Sequence, residues 1–410
     1  MTEQCPYERD KPLAIALDLI QEELNALNLT YRLQLLGAKG DTVHVQLLDA
    51  NNSVVADGTG KGSGAECLVG ALFEALEHYC ACRIDDKHQH LLVKIGDLAE
   101  VEECRNERVI SLLSAEPDKT VMARKYSSVD QAELHYPVFI TDPFHWRQPP
   151  AAGETFDCRT LIRYGSNSGT AIGSTEDEAF VHAVNEVIER DACSLFLRKF
   201  FYMPEGEKLN LVSFAALPED LGQLARAIAE EVAAEVYIID ITSRFSVPTY
   251  IAVAERSGRN QATHGFGTSL HPVHAIKRAL TELLQMHHST MAFGTHTQLN
   301  KCQDEMEDFP DLLRCLQLDI RDCIDRNGAE ISIGLPQYPA ARLTAHEHRL
   351  ALIERVRAAG SRIYTARRHA SDNGITVLTC VIPGCDRFFL VTYGAIVVPS
   401  EYDPRQLVEA

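Results

Sequence analysis

Apolar and polar positions along the chain follow two rhythms, the 3.6-residue period of amphipathic helices and the two-residue period of half-buried strands. Residues 12–27 carry the helical rhythm, with Leu13, Ile15, Ala16, Leu19, Ile20 and Leu24 on one side. Residues 31–36 and 43–48 alternate as strands around a turn from Gly37 to Gly40, and 53–56 continues extended. Helical patterns recur at 65–82, within the stretch from Leu161 to about Phe200, and at 218–233, 272–288 and 343–359, the last stopping at Gly360. Strand patterns fall at 236–241, 249–254, 375–382 and 388–391, and the segment 91–142 mixes short helices and strands. Residues 147–153 read as a surface loop and the acidic run 303–311 as an exposed one. The pattern predicts an α+β fold with antiparallel or mixed sheets and helices packed on them. Residues 1–50 read as a helix and strands packing on the main domain, 51–400 as that domain and 401–410 as a tail.

Three of the helices share one further pattern, a glycine-bearing stretch followed by Ala-x-x-Glu-x-x-Glu/Gln. The copies run from Gly58, Gly60 and Gly62 to Glu74 and Glu77, from Gly169 and Gly173 to Glu186 and Glu189, and from Gly265 and Gly267 to Glu282 and Gln285. Positions three apart lie on one helix face, so each helix offers a pair of acceptors on one side. Small residues four places before each alanine (Cys67, Ala179, Ala275) let the helix lie close to a sheet or another helix. A glutamate pair at this spacing is ordinarily a solvated face. Here the pairs sit between apolar neighbours such as Leu72, Phe73, Val187, Ile188, Leu283 and Leu284, which predicts half-burial, and buried carboxylates need partners. Three converging helices would gather five carboxylates and one amide, a set suited to hard divalent cations with a polyphosphate. Each glycine stretch is expected to be a strand-to-helix turn whose backbone N–H groups face phosphate, with Lys61 adding a point charge.

Composition narrows the partners. The chain has 410 residues, 45% of them hydrophobic, and a net charge of −19 that argues against a nucleic-acid backbone as ligand. No apolar run approaches the roughly 20 residues of a membrane span, and the first residues lack a signal-peptide pattern. The 12 cysteines form no pair of Cys-x-x-Cys sites, so reduced structural thiols in a cytoplasm are expected. Other motifs fail on inspection. Gly60-Lys61 lacks the earlier glycine of a P-loop, since position 55 is Val55, and Lys61 is followed by Gly62. Histidine spacings at His271/His274, His287/His288 and His346/His348 lie outside any His-Glu-x-x-His helix and are read as packing or surface residues. In Gly165-Ser166-Asn167-Ser168-Gly169 the serines are misplaced for a nucleophile elbow.

Taken together, residues 52–83, 166–192 (with Glu-Val-Ile-Glu-Arg-Asp-Ala after the glycines) and 265–285 resemble the YcaO family, ATP-dependent enzymes that activate peptide-backbone amides. The resemblance implies a site where helix carboxylates hold Mg²⁺ and the ATP phosphates. It assigns metal ligands to Glu74, Glu77, Glu186, Glu189 and Glu282, a further acidic nucleotide contact to Glu178, and a phosphate-facing, catalytic role to Arg190 beside Glu189 and Lys61. Arg9 falls where some members have a nucleotide-contacting lysine, and Ser174 where many have asparagine. The implied reaction adds a nucleophile to an amide and transfers the γ-phosphoryl group to its oxygen. A Cys, Ser or Thr nucleophile gives an azoline, sulfide gives a thioamide, and an amine gives an amidine. The expected activity is cyclodehydration of a ribosomally made precursor peptide. Thioamide formation, an accessory role in ribosomal-protein methylthiolation, and a silent peptide- or partner-binding scaffold are the alternatives. The azoline-forming members often end in Pro-x-Pro-x-Pro, whereas this sequence has Pro399 and Pro404. A leader-binding or sulfur-transfer partner protein and a homodimer are further expectations from the family.

Overall fold

The computed structural model describes residues 5–37, 39–62, 64–81, 90–256, 258, 261–336 and 342–400. The expected tail 401–410 and residues 82–89, after the first acidic helix, lie outside them. Helix α1 (Leu13–Ala26) precedes an antiparallel meander of β1 (Thr30–Leu36), β2 (Thr42–Leu48) and β3 (Val54–Lys61), then α2 (Ala65–Ala81). The mixed segment resolves into β4 (His90–Lys94), α3 (Ile95–Ala99), α4 (Arg108–Leu113), β5 (Thr120–Ser128), β6 (Glu133–Pro137) and α5 (Val138–Thr141). Next come β7 (Thr170–Gly173) and the long α6 (Glu176–Leu197), which ends in a π-helical turn, Arg198–Tyr202. The chain continues through β8 (Leu209–Val212), α7 (Glu219–Val232), β9 (Val236–Asp240), β10 (Thr249–Ala254), β11 (His264–Thr268) and α8 (Pro272–Phe293). It closes with α9 (His296–Glu305), α10 (Pro310–Gln317), α11 (Ile320–Asn327), β12 (Ala329–Ser332), α12 (Ala345–Ala358), β13 (Tyr364–Ala370) and β14 (Thr376–Val381).

These strands form three sheets: β1-β2-β3; β11-β10-β9-β8-β12, in which only β12 and β8 run parallel; and β4-β5-β13-β14-β7 with β6 against β5. The α+β expectation with mixed sheets therefore holds. Each of the three glycine stretches is an edge strand of a different sheet: β3, β7 and β11. Gly62 and Gly169 lie just outside those strands, at φ +123° and +86°, whereas Gly58, Gly60, Gly173, Gly265 and Gly267 lie within them rather than in the expected turns. Glycine is needed there because the following helix lies against the strand backbone itself. A Cβ at Gly60 would sit 1.8 Å from the Cys67 carbonyl oxygen, at Gly267 2.0 Å from that of Ala275, and at Gly173 2.4 Å from the Ala179 nitrogen. The small residues that the sequence pattern singled out are thus the other half of each close approach.

Three other expectations are corrected. Residues 388–391 form no strand but a 3-10 helix, Phe388–Tyr393, stopped by Gly394 at φ +87°. All four are buried, and a short apolar run buried on every side has no period that separates strand from helix. The acidic run 303–311 is exposed only in part. It spans the end of α9 and the start of α10, and Gln303 and Met306 are buried beneath its acidic side chains. Helix α8 also runs five residues past its expected end at 288.

Candidate functional site

Helices α2, α6 and α8 present their acidic faces to one cleft of about 710 Å³, within the range of small-molecule sites. Lys61, Glu74, Glu77, Glu178, Glu186, Glu189, Arg190, Glu282 and Arg9 all line it. Ser174 does not. It stands behind the wall, donating from its N–H to Glu178 Oε2 (2.9 Å) and from Oγ to Glu178 Oε1 (2.8 Å).

The three units are joined head to tail. The first glutamate of each pair accepts from the backbone of its own glycine stretch: Glu74 from Thr59 of β3, Glu186 from the Gly169 N–H just before β7 at 3.3 Å, and Glu282 from Phe266 N–H of β11 at 3.3 Å. The second side chain of two pairs reaches the next unit. Glu77 of α2 accepts from Ile172 N–H of β7 at 3.0 Å, and Gln285 of α8 donates to the Thr59 carbonyl of β3 at 2.5 Å. Between α6 and β11 the link is Arg190, whose guanidinium lies 5.5 Å from the Phe266 ring centre and 5.4 Å from that of Phe389. Lys61 of β3 pairs with Glu282 of α8.

Burial governs the electrostatics. It raises Glu77 well above the ordinary carboxylate range, reinforced by Glu186 and Glu74. It raises Glu74, Glu186 and Glu189 as well, against the pull of His78 and Lys61 on the first and of Arg190 on the other two. Glu282 is the exception: burial pushes it up, but Lys61 and Arg190 outweigh burial and hold it below the ordinary range. Arg190 is 3.6 Å from Glu186 and 3.8 Å from Glu189, too far for hydrogen bonds. Its buried Nε and Nη1 have no hydrogen-bond partner among the described residues, nor has Arg278 Nε. Clustered carboxylates with raised affinity for protons, beside guanidinium groups with unused donors, suit a polyanion and divalent cations together: the metal replaces the protons and the anion uses the donors. The residues present fit ATP with Mg²⁺.

Sequence reasoning missed Arg278, His182, Lys277 and Tyr393, all of which line the cleft. Arg278 and His182 stand four residues before Glu282 and Glu186, one turn back on the same helix face. The same spacing rule could have found them. The histidine pairs are placed differently: His274 lines the cleft rim, whereas His288 is buried behind β2, between Thr42 Oγ1 (2.9 Å) and Glu231 Oε1 (2.7 Å).

A family model described as "YcaO cyclodehydratase, ATP-ad Mg2+-binding" matches residues 59–386. An uncharacterized protein of Methanothermobacter thermautotrophicus is 31% identical over 270 residues, 62% of this chain and 64% of that protein, so the match spans just under two thirds of the relative. Among solved structures, the YcaO protein of Methanopyrus kandleri bound with AMPPCP and Mg²⁺ superposes with a TM-score of 0.66 at 18% identity, covering 98% of this chain and all of that one. A heterocyclase in complex with substrate and cofactor gives 0.61 at 18% identity, over 92% of this chain and 52% of that one. Among the described residues no helix is long and apolar enough to cross a membrane.

Proposed function

Since the chain belongs to the YcaO family, whose model is described as ATP- and Mg²⁺-binding, we propose that it is an enzyme that activates a peptide-backbone amide by O-phosphorylation, forming azolines from Cys, Ser or Thr of a ribosomally made peptide. The observation that carries this reading is the convergence of five helix carboxylates with Lys61, Arg190 and Arg278 on one cleft. ATP with Mg²⁺ supplies the phosphoryl group that turns an amide oxygen into a leaving group. Glu74, Glu77, Glu186, Glu189 and Glu282 are the residues that would hold the metal. Arg190, fixed between Phe266 and Phe389, and Lys61, fixed by Glu282, offer positive charge where negative charge develops in a phosphoryl transfer. Because both cations are anchored before any ligand enters, little reorganisation is needed at the moment of reaction.

The proposal extends to a separate protein that delivers the peptide, and to a homodimer. A sulfide nucleophile, giving a thioamide, is the alternative outcome on the same site. Calorimetric titration with a non-hydrolysable ATP analogue tests the reading. Binding is expected only with Mg²⁺ and is expected to vanish in a Glu74→Ala/Glu77→Ala double variant. Binding that ignores both changes would remove the acidic helices from the site. With a candidate peptide, loss of one water from the product identifies an azoline, and exchange of oxygen for sulfur identifies a thioamide.

A further inference from the structure

Residues 6–11 cross one wall of the cleft, where Pro6, Tyr7, Glu8, Arg9 and Lys11 line it. Carboxylates on both sides of Arg9 bolt this strap to distant parts of the chain. Glu8 is only 6% exposed and adopts φ +60°, a left-handed conformation that costs a non-glycine residue about 1 kcal/mol or more. Its Oε1 accepts from Ser269 Oγ at 2.5 Å and from Asn185 Nδ2 at 3.3 Å, and its Oε2 lies 3.8 Å from His274 Nε2. Tyr7 packs on the rings of His271 and His274. Asp10 accepts from Thr175 Oγ1 at 2.7 Å and from the Ala345 N–H at 3.4 Å, and its own N–H donates to Glu178 Oε1 at 2.6 Å. One segment is thereby tied to the N-terminal half of α6, to the turn before α8 and to the start of α12.

Glu178 belongs to this assembly more than to the metal set. It is 3% exposed, and its two oxygens take three hydrogen bonds, two from Ser174 and one from Asp10. Arg9 stands beside it at 3.9 Å, beyond hydrogen-bonding reach, so the guanidinium is oriented by charge without its donors being used there.

We infer that Glu8 and Asp10 are positioning residues: they hold the strap so that Arg9 stays in the nucleotide cleft, with Glu178 as its fixed counter-charge. The inference rests on the nucleotide reading above. A left-handed residue buried at a cleft wall persists only when its surroundings over-determine it, and here the surroundings are Ser269, Asn185 and His274. Arg9 gains a defined place without any helix or strand to carry it.

A double-mutant cycle on the full chain tests this, read as affinity for a non-hydrolysable ATP analogue with Mg²⁺ and as the ligand-free melting midpoint. Arg9→Ala and Glu8→Gln are each expected to weaken binding about tenfold, and the double variant no further, because Glu8 acts through Arg9. Asp10→Asn, which keeps the shape of its site, is expected to behave as Glu8→Gln does and serves where that variant fails to fold. Losses that multiply in the double variant, or a folded Glu8→Gln that binds like the wild type while melting lower, would overturn the inference and leave Glu8 a structural residue. A wild-type chain that binds no nucleotide sinks the nucleotide reading itself, and this inference with it.

Discussion

Lys61, on an edge strand of one sheet, forms an ion pair with Glu282, on the helix that packs against the edge of another. The pair is half shielded from water and is what keeps Glu282 ionised when its neighbouring carboxylates are driven towards their neutral forms. Lys61→Met is expected to weaken Mg²⁺-dependent nucleotide binding by about tenfold, since one positive charge facing the ligand is lost. A titration of the variant that matches the wild type would show that Lys61 serves Glu282 alone.

Arg190 lies between two aromatic rings, and among the described residues its ion pairs with Glu186 and Glu189 are long, at 3.6 and 3.8 Å. Arg190→Lys retains the charge but not the flat guanidinium that fits between Phe266 and Phe389. The variant is expected to fold, to bind the nucleotide analogue more weakly, and to lose turnover by about a hundredfold or more. Turnover close to wild type would mean that charge alone suffices there.

The glycine strands invite a test of packing without chemistry. Gly60→Ala and Gly267→Ala each force a methyl group onto a helix backbone oxygen and should destabilise the fold by about 3 kcal/mol or more, beyond ordinary overpacking. Gly334→Ala meets nothing within 4 Å and is expected to be neutral. Thermal melts of the three variants decide it.

Glu107, buried away from the cleft, gives a pH dependence of known sign. Burial raises its carboxyl to about 7, although Tyr136 OH and the Gly384 N–H both donate to it. Since its folded pKa lies above its unfolded value, ionising it opposes folding. The penalty is absent below pH ~4.5, grows as pH rises through about 7, and is complete above that. Glu107→Gln should therefore gain stability relative to the wild type as pH rises, by on the order of 1–3 kcal/mol at pH 8. Taking the difference cancels the opposing titration of the buried histidines. A difference flat with pH would contradict the raised pKa.

His288→Ala should leave nucleotide binding intact while costing about 1–3 kcal/mol of stability, because it strands Thr42 and Glu231 without their shared partner. Loss of binding at unchanged stability would instead tie α8's far end to the site.

Much of the site was legible because its residues repeat. The spacing of Glu74/Glu77, Glu186/Glu189 and Glu282/Gln285 is a local property of a helix, and it survives intact from sequence to cleft. What could not be read was anything set by a neighbour distant in the chain. Glycines that look like turn residues lie in strands because a helix backbone presses on them. Residues 388–391 have strand-like side chains but are wrapped on all sides. Ser174 resembled a ligand because its motif position is shared, yet Glu178 takes both its donors. Glu8 carried no periodic signal at all.

The head-to-tail closure of three units, each on the edge of its own sheet, also means that the cleft has no local precursor. Its walls come from residues as far apart as Thr59 and Gln285, joined by a direct hydrogen bond, and no one sheet with its helix contains more than a third of them. A ligand that binds the closed ring binds nothing smaller, so its affinity is drawn from the whole cooperative unit. Saturating nucleotide should accordingly slow amide exchange in all three sheets together, including strands such as β9 and β13 that never approach the cleft.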